Sequence, residues 1–511
     1  MNNTVSYQLQ VFKQEIAYDY LEKTDFINAW IALYQQCSWS TGYQSVEYCV
    51  TWYRMFNEKF SPLLLVSYDE NKHIIGLFAL AQSVLDNTKI VIAGNQHPEY
   101  RIWLALPEHN DKFILQVLTW LKKNCTHPLA LNYLPHRVDM NWLKWTAPPT
   151  WHCVLNTTTN HHLRIGDKEW LKEYMRGKKR LKTKFNKMQR MGEILFKRVV
   201  DVHELDNLLN QIIPLYEFRQ GAVHGSTPFH TNPLKRAFTL ELLKQKRLHA
   251  SVLIMNGEVL GALLSVCGRG QVHLGEIAYS TFHPDLSPGL IHLWLLVPLL
   301  AAEGFEVLDL TPGGDSYKSR FANETVELYE LTFYPRLWQT LYPKLKKLLK
   351  PSVTRLKSFF SKQLEQESNP SAEKWRLVKS HYPKPNSDLD VPLVSAQTYQ
   401  KNSLNDLLCF QAKPSETDRE DSYFMFLRNS FNLITLGADV YTVVEDNQLK
   451  YAVWIINSVQ EHQLKFLPEQ IKLNEACVLA VYPSEEQDAS AYQKALYAIL
   501  PTNKKVHILE K

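Results

Sequence analysis

Residues 308–322, LDLTPGGDSYKSRFA, gather Asp309, Asp315, Tyr317, Lys318 and Arg320 at the end of an apolar strand. The adjacent glycines and the Lys-Ser pair invite a phosphate-loop reading, but the spacing excludes it. A Walker loop needs a glycine directly before its lysine, so that the backbone can wrap the phosphates. Tyr317 stands there instead, and the ANETVELYELTFYP that follows alternates like a strand rather than opening a helix. In a mixed sheet, ligands sit beyond the carboxyl ends of strands. The segment therefore suits a polar, mixed-charge site that orients a substrate and moves a proton, with Asp309, Tyr317 and Lys318 as candidates and Asp315 beside them. A turn fastened by an Asp309–Lys318 ion pair is the structural alternative.

Two further groups carry chemistry. Ser287-Pro288-Gly289 precedes the apolar run LIHLWLLVPLLAA. Serine is a favoured N-cap and proline suits the first helical turn. Such a helix start directs free N–H groups and its partial positive charge towards an anion. Glu276 lies in QVHLGEIAYS, where alternation places it on the face of Val272, Leu274 and Ala278. A carboxylate in apolar surroundings has a raised pKa and can act as a general base near neutrality. Pairing with Arg269 or Arg219 is the competing reading.

These residues need elements to hold them. LLLVSYDENKHIIGLFALAQ (63–82), ASVLIMNGEVLGALLSVC (250–267) and VYTVVEDNQLKYAVWIIN (440–457) each run apolar strand, polar turn, apolar strand. The first two are followed, in the same order, by another strand, a loop, a helix and a strand. That order predicts a duplicated α/β module with mixed sheets, lobes at 1–158 and 199–345, and a smaller α/β domain at 373–511. Between the lobes, 159–198 holds a basic connecting helix. From Arg176 to Arg190 there are eight basic residues and no acid, with Leu181, Phe185 and Met188 at helical spacing. A second basic amphipathic stretch and a polar linker fill 346–372. Both basic segments are either solvated faces or surfaces for RNA or an anionic membrane.

The bulk properties narrow the classes. Over 511 residues the net charge is only +5, so no DNA partner is expected. Seven scattered cysteines without a CxxC pair imply reduced thiols in a cytoplasmic protein, peripheral at most to the inner membrane face, and no zinc or other metal site. The N-terminal residues lack a signal-peptide layout. The 13-residue apolar run 290–302 is too short for a bilayer, which needs about 20 residues, and reads as a core helix.

The second lobe resembles the bacterial CelD/BioF2-like acetyltransferases, members of the GNAT superfamily often associated with exopolysaccharide biosynthesis. The likeness rests on PLYEFRQGAVHG, on LHASVLIMNGEVLGALLSV, and on AYSTFHPDLSPGLIHLWLLVPLLAAEGFEVLDLTPGGDSYKSRFA. The family's arginine after a helix falls on Arg219. Its SPG falls on Ser287, Pro288 and Gly289, and its D-x-x-x-G-x-x-x-Y-K on Asp309, Gly313, Tyr317 and Lys318. The first lobe is similar at Glu99-Tyr100, where the family shows an acidic–tyrosine pair. The resemblance implies two tandem GNAT-like lobes of the kind shared with the FemABX transferases. It implies acetyl-CoA or another acyl-CoA as co-substrate. Our own assignment of roles puts that co-substrate at Ser287–Gly289 and the substrate at Arg219, Glu99, Tyr100 and Asp315. One departure stands out. The Q/R-x-x-G-x-G/A coenzyme A loop is replaced by FHPDLSPG, and Asp285 there opposes phosphate.

The expected activity is direct acyl transfer to an amine or hydroxyl on a sugar or other small cell-envelope precursor. Glu276 or Asp309 takes the proton, and Tyr317 returns one to the leaving thiolate. An aminoacyl-tRNA-dependent transferase and a degenerate GNAT-fold scaffold for polysaccharide assembly are the competing readings.

Overall fold

The computed structural model describes residues 9–144, 148–340, 376–381, 399–412, 419–482 and 504–510. The first repeat begins with β1 (Leu9–Lys13), α1 (Gln14–Leu21), α2 (Thr24–Gln36) and α3 (Val46–Met55). Its hairpin follows as β2 (Phe60–Tyr68) and β3 (Ile74–Ser83), then β4 (Ile90–Ile92), β5 (Leu104–Ala105), α4 (Asn110–Asn124) and β6 (Leu129–Pro135). A crossing strand, β7 (Cys153–Arg164), leads to α5 (Lys168–Gly177) and α6 (Lys179–Met191). The second repeat runs β8 (Ile194–Val199), α7 (Val202–His224), α8 (Pro228–Thr231), α9 (Leu234–Lys244), β9 (Leu248–Met255), β10 (Glu258–Gly268) and β11 (Gln271–Tyr279). It continues through α10 (Pro288–Ala302), β12 (Val307–Asp309), α11 (Ser316–Phe321) and β13 (Glu324–Phe333). The order strand, helices, strands, helix, strand occurs twice, with four strands in the middle run of the first repeat and three in that of the second.

All three hairpins expected from the sequence form. At the β9–β10 turn Asn256 and Gly257 both have positive φ, 52° and 84°, the requirement of a type I′ turn that matches strand twist. The third hairpin turns through Asp446 and Asn447 with φ of 50° and 57°.

Strand pairing departs from the lobe boundaries read off the sequence. A five-stranded sheet has the order β1-β2-β3-β4 with β5 on β3. The second sheet has eight strands, β6-β13-β7-β12-β11-β10-β9-β8. The boundary expected at 158 falls inside β7, which pairs with β13 along Cys153–His162 and with β12 at its far end. The segment 159–198 is therefore not one helix. It holds the end of β7, then α5 and α6 broken at Lys178 (φ −89°, ψ 46°), then β8. Alternation marks a strand but does not name its partner, so β6 joining the second sheet was not readable. The third domain contributes β14 (Arg376–His381), β15 (Gln400–Lys401), β16 (Asp439–Glu445), β17 (Gln448–Ile456), β18 (Ala476–Tyr482) and β19 (Val506–Glu510), ordered β14-β19-β18-β17-β16-β15. The basic stretch expected at 346–372 lies outside the described residues.

The α10 sequence PGLIHLWLLVPLLAA is apolar on every side, and the fold buries it between layers. Leu293, Leu296, Val297 and Leu300 pack with Leu163, Val272, Leu274 and Leu308 of the eight-stranded sheet. On its other side Ile291 meets Met188 of α6, and Phe185 lies edge-on to Trp294 at 5.9 Å. Burying each Leu or Val contributes about 1.5–3 kcal/mol, so α10 anchors the lobe. Among the described residues, no helix is long and apolar enough to cross a membrane. The repeats are locked together by Arg247, which grips Glu47 through two bonds of 2.7 and 3.0 Å.

Candidate active site

A cavity of about 700 Å³ opens between β11 and the start of α10. Its walls bring together Glu99 of the first repeat, Arg219 of α7, Ser287, Pro288 and Gly289 at the α10 start, and Asp315, Tyr317 and Lys318 from the turn after β12. These eight residues, expected from the sequence, share one space. Glu276, Asp309 and Tyr100 do not line it. Arg320, at the end of the same turn, is exposed and bonds its own helix at Ser316 O.

Asp309 is 1% exposed and saturated with donors. Its Oδ1 accepts from Asn160 Nδ2 (2.7 Å) and the Thr311 amide (2.8 Å); its Oδ2 accepts from Tyr100 Oη and meets His273 Nδ1 at 2.9 Å. Burial alone would raise its pKa, but the bonds to His273, the nearby His162 and the Tyr100 hydroxyl hold it well below the usual carboxylate range. A carboxylate so held is a poor proton acceptor. Asp309, Tyr100 and His273 border a separate, smaller cavity of about 390 Å³. The expected Asp309–Lys318 ion pair is absent among the described contacts. Lys318, 4% exposed, donates instead to the Thr311 and Pro312 carbonyls, both at 3.1 Å, and lies 3.4 Å from Asp315 Oδ2. It fastens the turn, which is also held by Gly313: a Cβ on Gly313 would sit 2.9 Å from Lys318 Nζ.

Glu276 is displaced from its expected face by a bulge. The β10–β11 register passes from Leu264↔Glu276 to Val266↔His273, so β11 carries one extra residue. That residue reverses the alternation. Leu274, Ile277 and Tyr279 turn to the cavity, while Glu276 turns to Lys235 of α9, whose Nζ donates to Oε1 at 2.5 Å. Burial opposes its charge, but the Lys235 ammonium outweighs it and lowers the Glu276 pKa. The ion pair foreseen for Glu276 forms, with Lys235 in place of an arginine.

Glu99 is in the opposite situation. It is half-buried on the cavity wall, and no hydrogen bond or ion pair ties it to another described residue. Burial, with the charge of Glu276 second, raises its pKa above the ordinary value. Of the two carboxylates that line the cavity, Glu99 and Asp315, Glu99 is the one whose pKa is shifted upward, the direction a general base requires.

The tip of α10 differs from a conventional cap. Ser287 has φ 54°, and its side chain does not bond the helix amides. Its Oγ accepts from Lys184 Nζ at 2.6 Å. Lys187, one turn along α6, pairs with Asp285. The charge that opposed phosphate is thereby neutralised, and a lysine stands at the helix start. Gly289 packs against Tyr279, where a Cβ would fall 2.9 Å from Cδ1. Arg219 lies 5.4 Å from the Tyr279 ring centre and donates to Ile277 O at 3.0 Å, leaving its buried Nε without a partner. Burial raises the Tyr317 pKa further, so its phenol stays protonated.

Sequence reasoning missed Lys184 and Lys187 as site residues, although it singled out their basic run. It also missed Lys235, His273 and Asn160. Phe431 and Thr435, from the helix Arg419–Thr435 of the third domain, complete the cavity wall. No sequence signal connected that helix to the site. Among the described residues, no cluster of three or more His, Cys, Asp or Glu side chains could hold a metal ion.

Residues 175–319, from the end of α5 into α11, match the family described as the acetyltransferase (GNAT) domain. FemX aligns at 10% identity over 63% of this chain and 98% of its own, with a TM-score of 0.44. The C-terminal domain of a putative lysylphosphatidylglycerol synthetase from Agrobacterium fabrum aligns at 10% identity over 63% and 95%, TM-score 0.41. The tandem GNAT protein of the clavulanic acid biosynthesis pathway aligns at 10% identity over 63% and 98%, TM-score 0.38. No curated protein matches the sequence significantly.

Proposed function

We propose that this chain, which carries a GNAT acetyltransferase domain in residues 175–319, transfers an acyl group from acyl-coenzyme A to an amine or hydroxyl of a sugar or other cell-envelope precursor. One observation carries the reading: a single cavity joins a lysine-flanked helix start to an unpaired carboxylate with a raised pKa. The residues fit the donor. The Gly289 amide, Lys184 Nζ and the orphaned Arg219 Nε are donors suited to a pyrophosphate or carboxylate. Acyl-coenzyme A, when bound, supplies a thioester whose acyl carbon bonds to the acceptor as the C–S bond breaks.

The chain's own residues move the protons. Glu99 takes one from the acceptor nitrogen or oxygen and later returns it to solvent. Tyr317, kept protonated by burial, gives one to the departing sulfur. Asp309 and Lys318 position the turn that carries Tyr317, and Glu276 holds Lys235 and raises the Glu99 pKa. The role of base thus falls to Glu99, which was expected from the sequence only for substrate binding. A calorimetric titration of the full chain with acetyl-CoA and coenzyme A tests the reading. Saturable micromolar binding is expected; no heat with either ligand rejects it.

A second reading, with aminoacyl-tRNA as donor, draws on the exposed Lys179, Arg180 and Lys182 of α6. It requires tRNA binding that falls steeply with salt and that neutralising these three residues removes.

A further inference from the structure

The third domain has no chemical motif, yet it reaches the cavity. We propose that its helix Arg419–Thr435 forms the acceptor end of that cavity, and that this end is shaped for a saccharide ring. The inference rests on the acyltransferase reading above, narrows its acceptor to a saccharide and adds the elements that recognise it.

The helix is seated firmly enough to be a wall. Leu427 is fully buried against Gly221 of α7, where a Cβ would come within 2.5 Å of Leu427 Cδ1. A larger residue at 221 would force Leu427 to shift. Arg428 Nε donates to Ala222 O at 3.2 Å, and the Phe218 and Phe431 rings lie 6.2 Å apart. The contact continues the main core: Leu427, Leu433 and Ile434 belong to the same buried cluster as Leu215 and Phe218 of α7.

The chemistry of the two ends differs. At the α10 tip stand Lys184 and the Gly289 amide, suited to an anion. Around Phe431 stand Thr435, Gln220 and His224, and the third domain brings no lysine or arginine to the cavity. None of these three side chains has a hydrogen-bond partner among the described residues. A half-buried aromatic face with uncharged donors and acceptors around it matches a pyranose. The ring's C–H face is apolar and packs on the phenyl group, while its hydroxyls reach the amide, imidazole and hydroxyl. A bare aliphatic acceptor would leave those three groups unused; Arg219, which precedes Gln220 on α7, adds a donor that a ring hydroxyl can also accept.

The test is calorimetric, on the full chain, with coenzyme A and glucosamine as separate probes. Wild type is expected to bind both. Phe431→Ala should weaken glucosamine binding at least tenfold, about 1.4 kcal/mol, and leave coenzyme A binding within twofold. Phe431→Leu keeps apolar volume but removes the flat face, so it should show the same selective loss with an unchanged melting temperature. Thr435→Val should give a smaller loss in the same direction. Glucosamine binding unchanged in both Phe431 variants overturns the proposal. So does a wild type that binds coenzyme A but not glucosamine, or a Phe431 variant that loses coenzyme A instead. A wild type that binds glucosamine through Phe431 but no coenzyme A sinks the acyltransferase reading alone.

Discussion

Asp309 and His273 face each other across adjacent parallel strands, Oδ2 to Nδ1 at 2.9 Å, each side chain 1% exposed. This pair, with Tyr100 and Asn160 around it, stitches the first repeat to the second. The folded-state pKa of Asp309 is depressed below its unfolded value. Its contribution to stability is therefore present above the unfolded carboxylate pKa, about 3.9, and is lost as pH falls through the folded value. Asp309→Asn should lower unfolding free energy by about 3–5 kcal/mol near neutral pH, because it leaves a buried network without its charge. Urea denaturation at neutral and acidic pH should show the gap between variant and wild type closing as acid is added.

Glu99 is expected to behave in the reverse way. Its raised folded pKa means that ionisation costs stability, so Glu99→Gln should gain on wild type as pH rises through the folded Glu99 pKa and melt slightly higher above it. Acyl transfer should nonetheless fall by about 10²–10⁴-fold, the usual span for a lost general base. In the wild type, kcat/KM should rise with pH along a limb whose midpoint lies above the ordinary carboxylate range. A Glu99→Gln enzyme with wild-type turnover would return the base to another group.

The contrast between these two carboxylates shows what the sequence could and could not reveal. Periodicity found the hairpins, the helices and the repeated order, because those depend on local apolar spacing. The SPG and D-x-x-x-G-x-x-x-Y-K stretches marked two segments that do share a cavity. Which acid would be free was not legible. Asp309 is silenced by Asn160, His273 and Tyr100, residues 149, 36 and 209 positions away. Glu276 is turned aside by one extra residue in β11, which strict alternation cannot detect. The pairing of β6 and β7 with β13 is equally a long-range choice, made by the whole sheet.

The two faces of α6 should separate in mutagenesis. Lys184 touches Ser287 Oγ, and Lys187 neutralises Asp285. Lys184→Ala should weaken coenzyme A binding by roughly 1.5–3 kcal/mol, the range for a charge-assisted hydrogen bond. Lys187→Ala should weaken it less, and the loss should shrink in high salt as the freed Asp285 charge is screened. Reversing Lys179, Arg180 and Lys182, which are exposed on the outer face, should leave calorimetric affinity for coenzyme A within about twofold, since exposed charges contribute little.

Gly275 tests whether the bulge builds the site. A Cβ placed there would lie 2.4 Å from the Leu264 carbonyl oxygen, a backbone atom that cannot swing aside as a flexible side chain would. Gly275→Ala must therefore push β10 and β11 apart or erase the bulge. Overpacking of this kind costs about 1–3 kcal/mol, which differential scanning calorimetry would read as a lower melting temperature. The functional loss should exceed that cost. Without the bulge, strict alternation would return Glu276 to the face of Leu274, away from Lys235, and turn Ile277 and Tyr279 from the cavity. Arg219, which donates to Ile277 O and stacks on Tyr279, would lose both supports. Gly275→Ala should thus abolish coenzyme A binding at temperatures where circular dichroism still shows a folded chain. Retained affinity in such a folded variant would show that the register shift shapes the sheet without shaping the site.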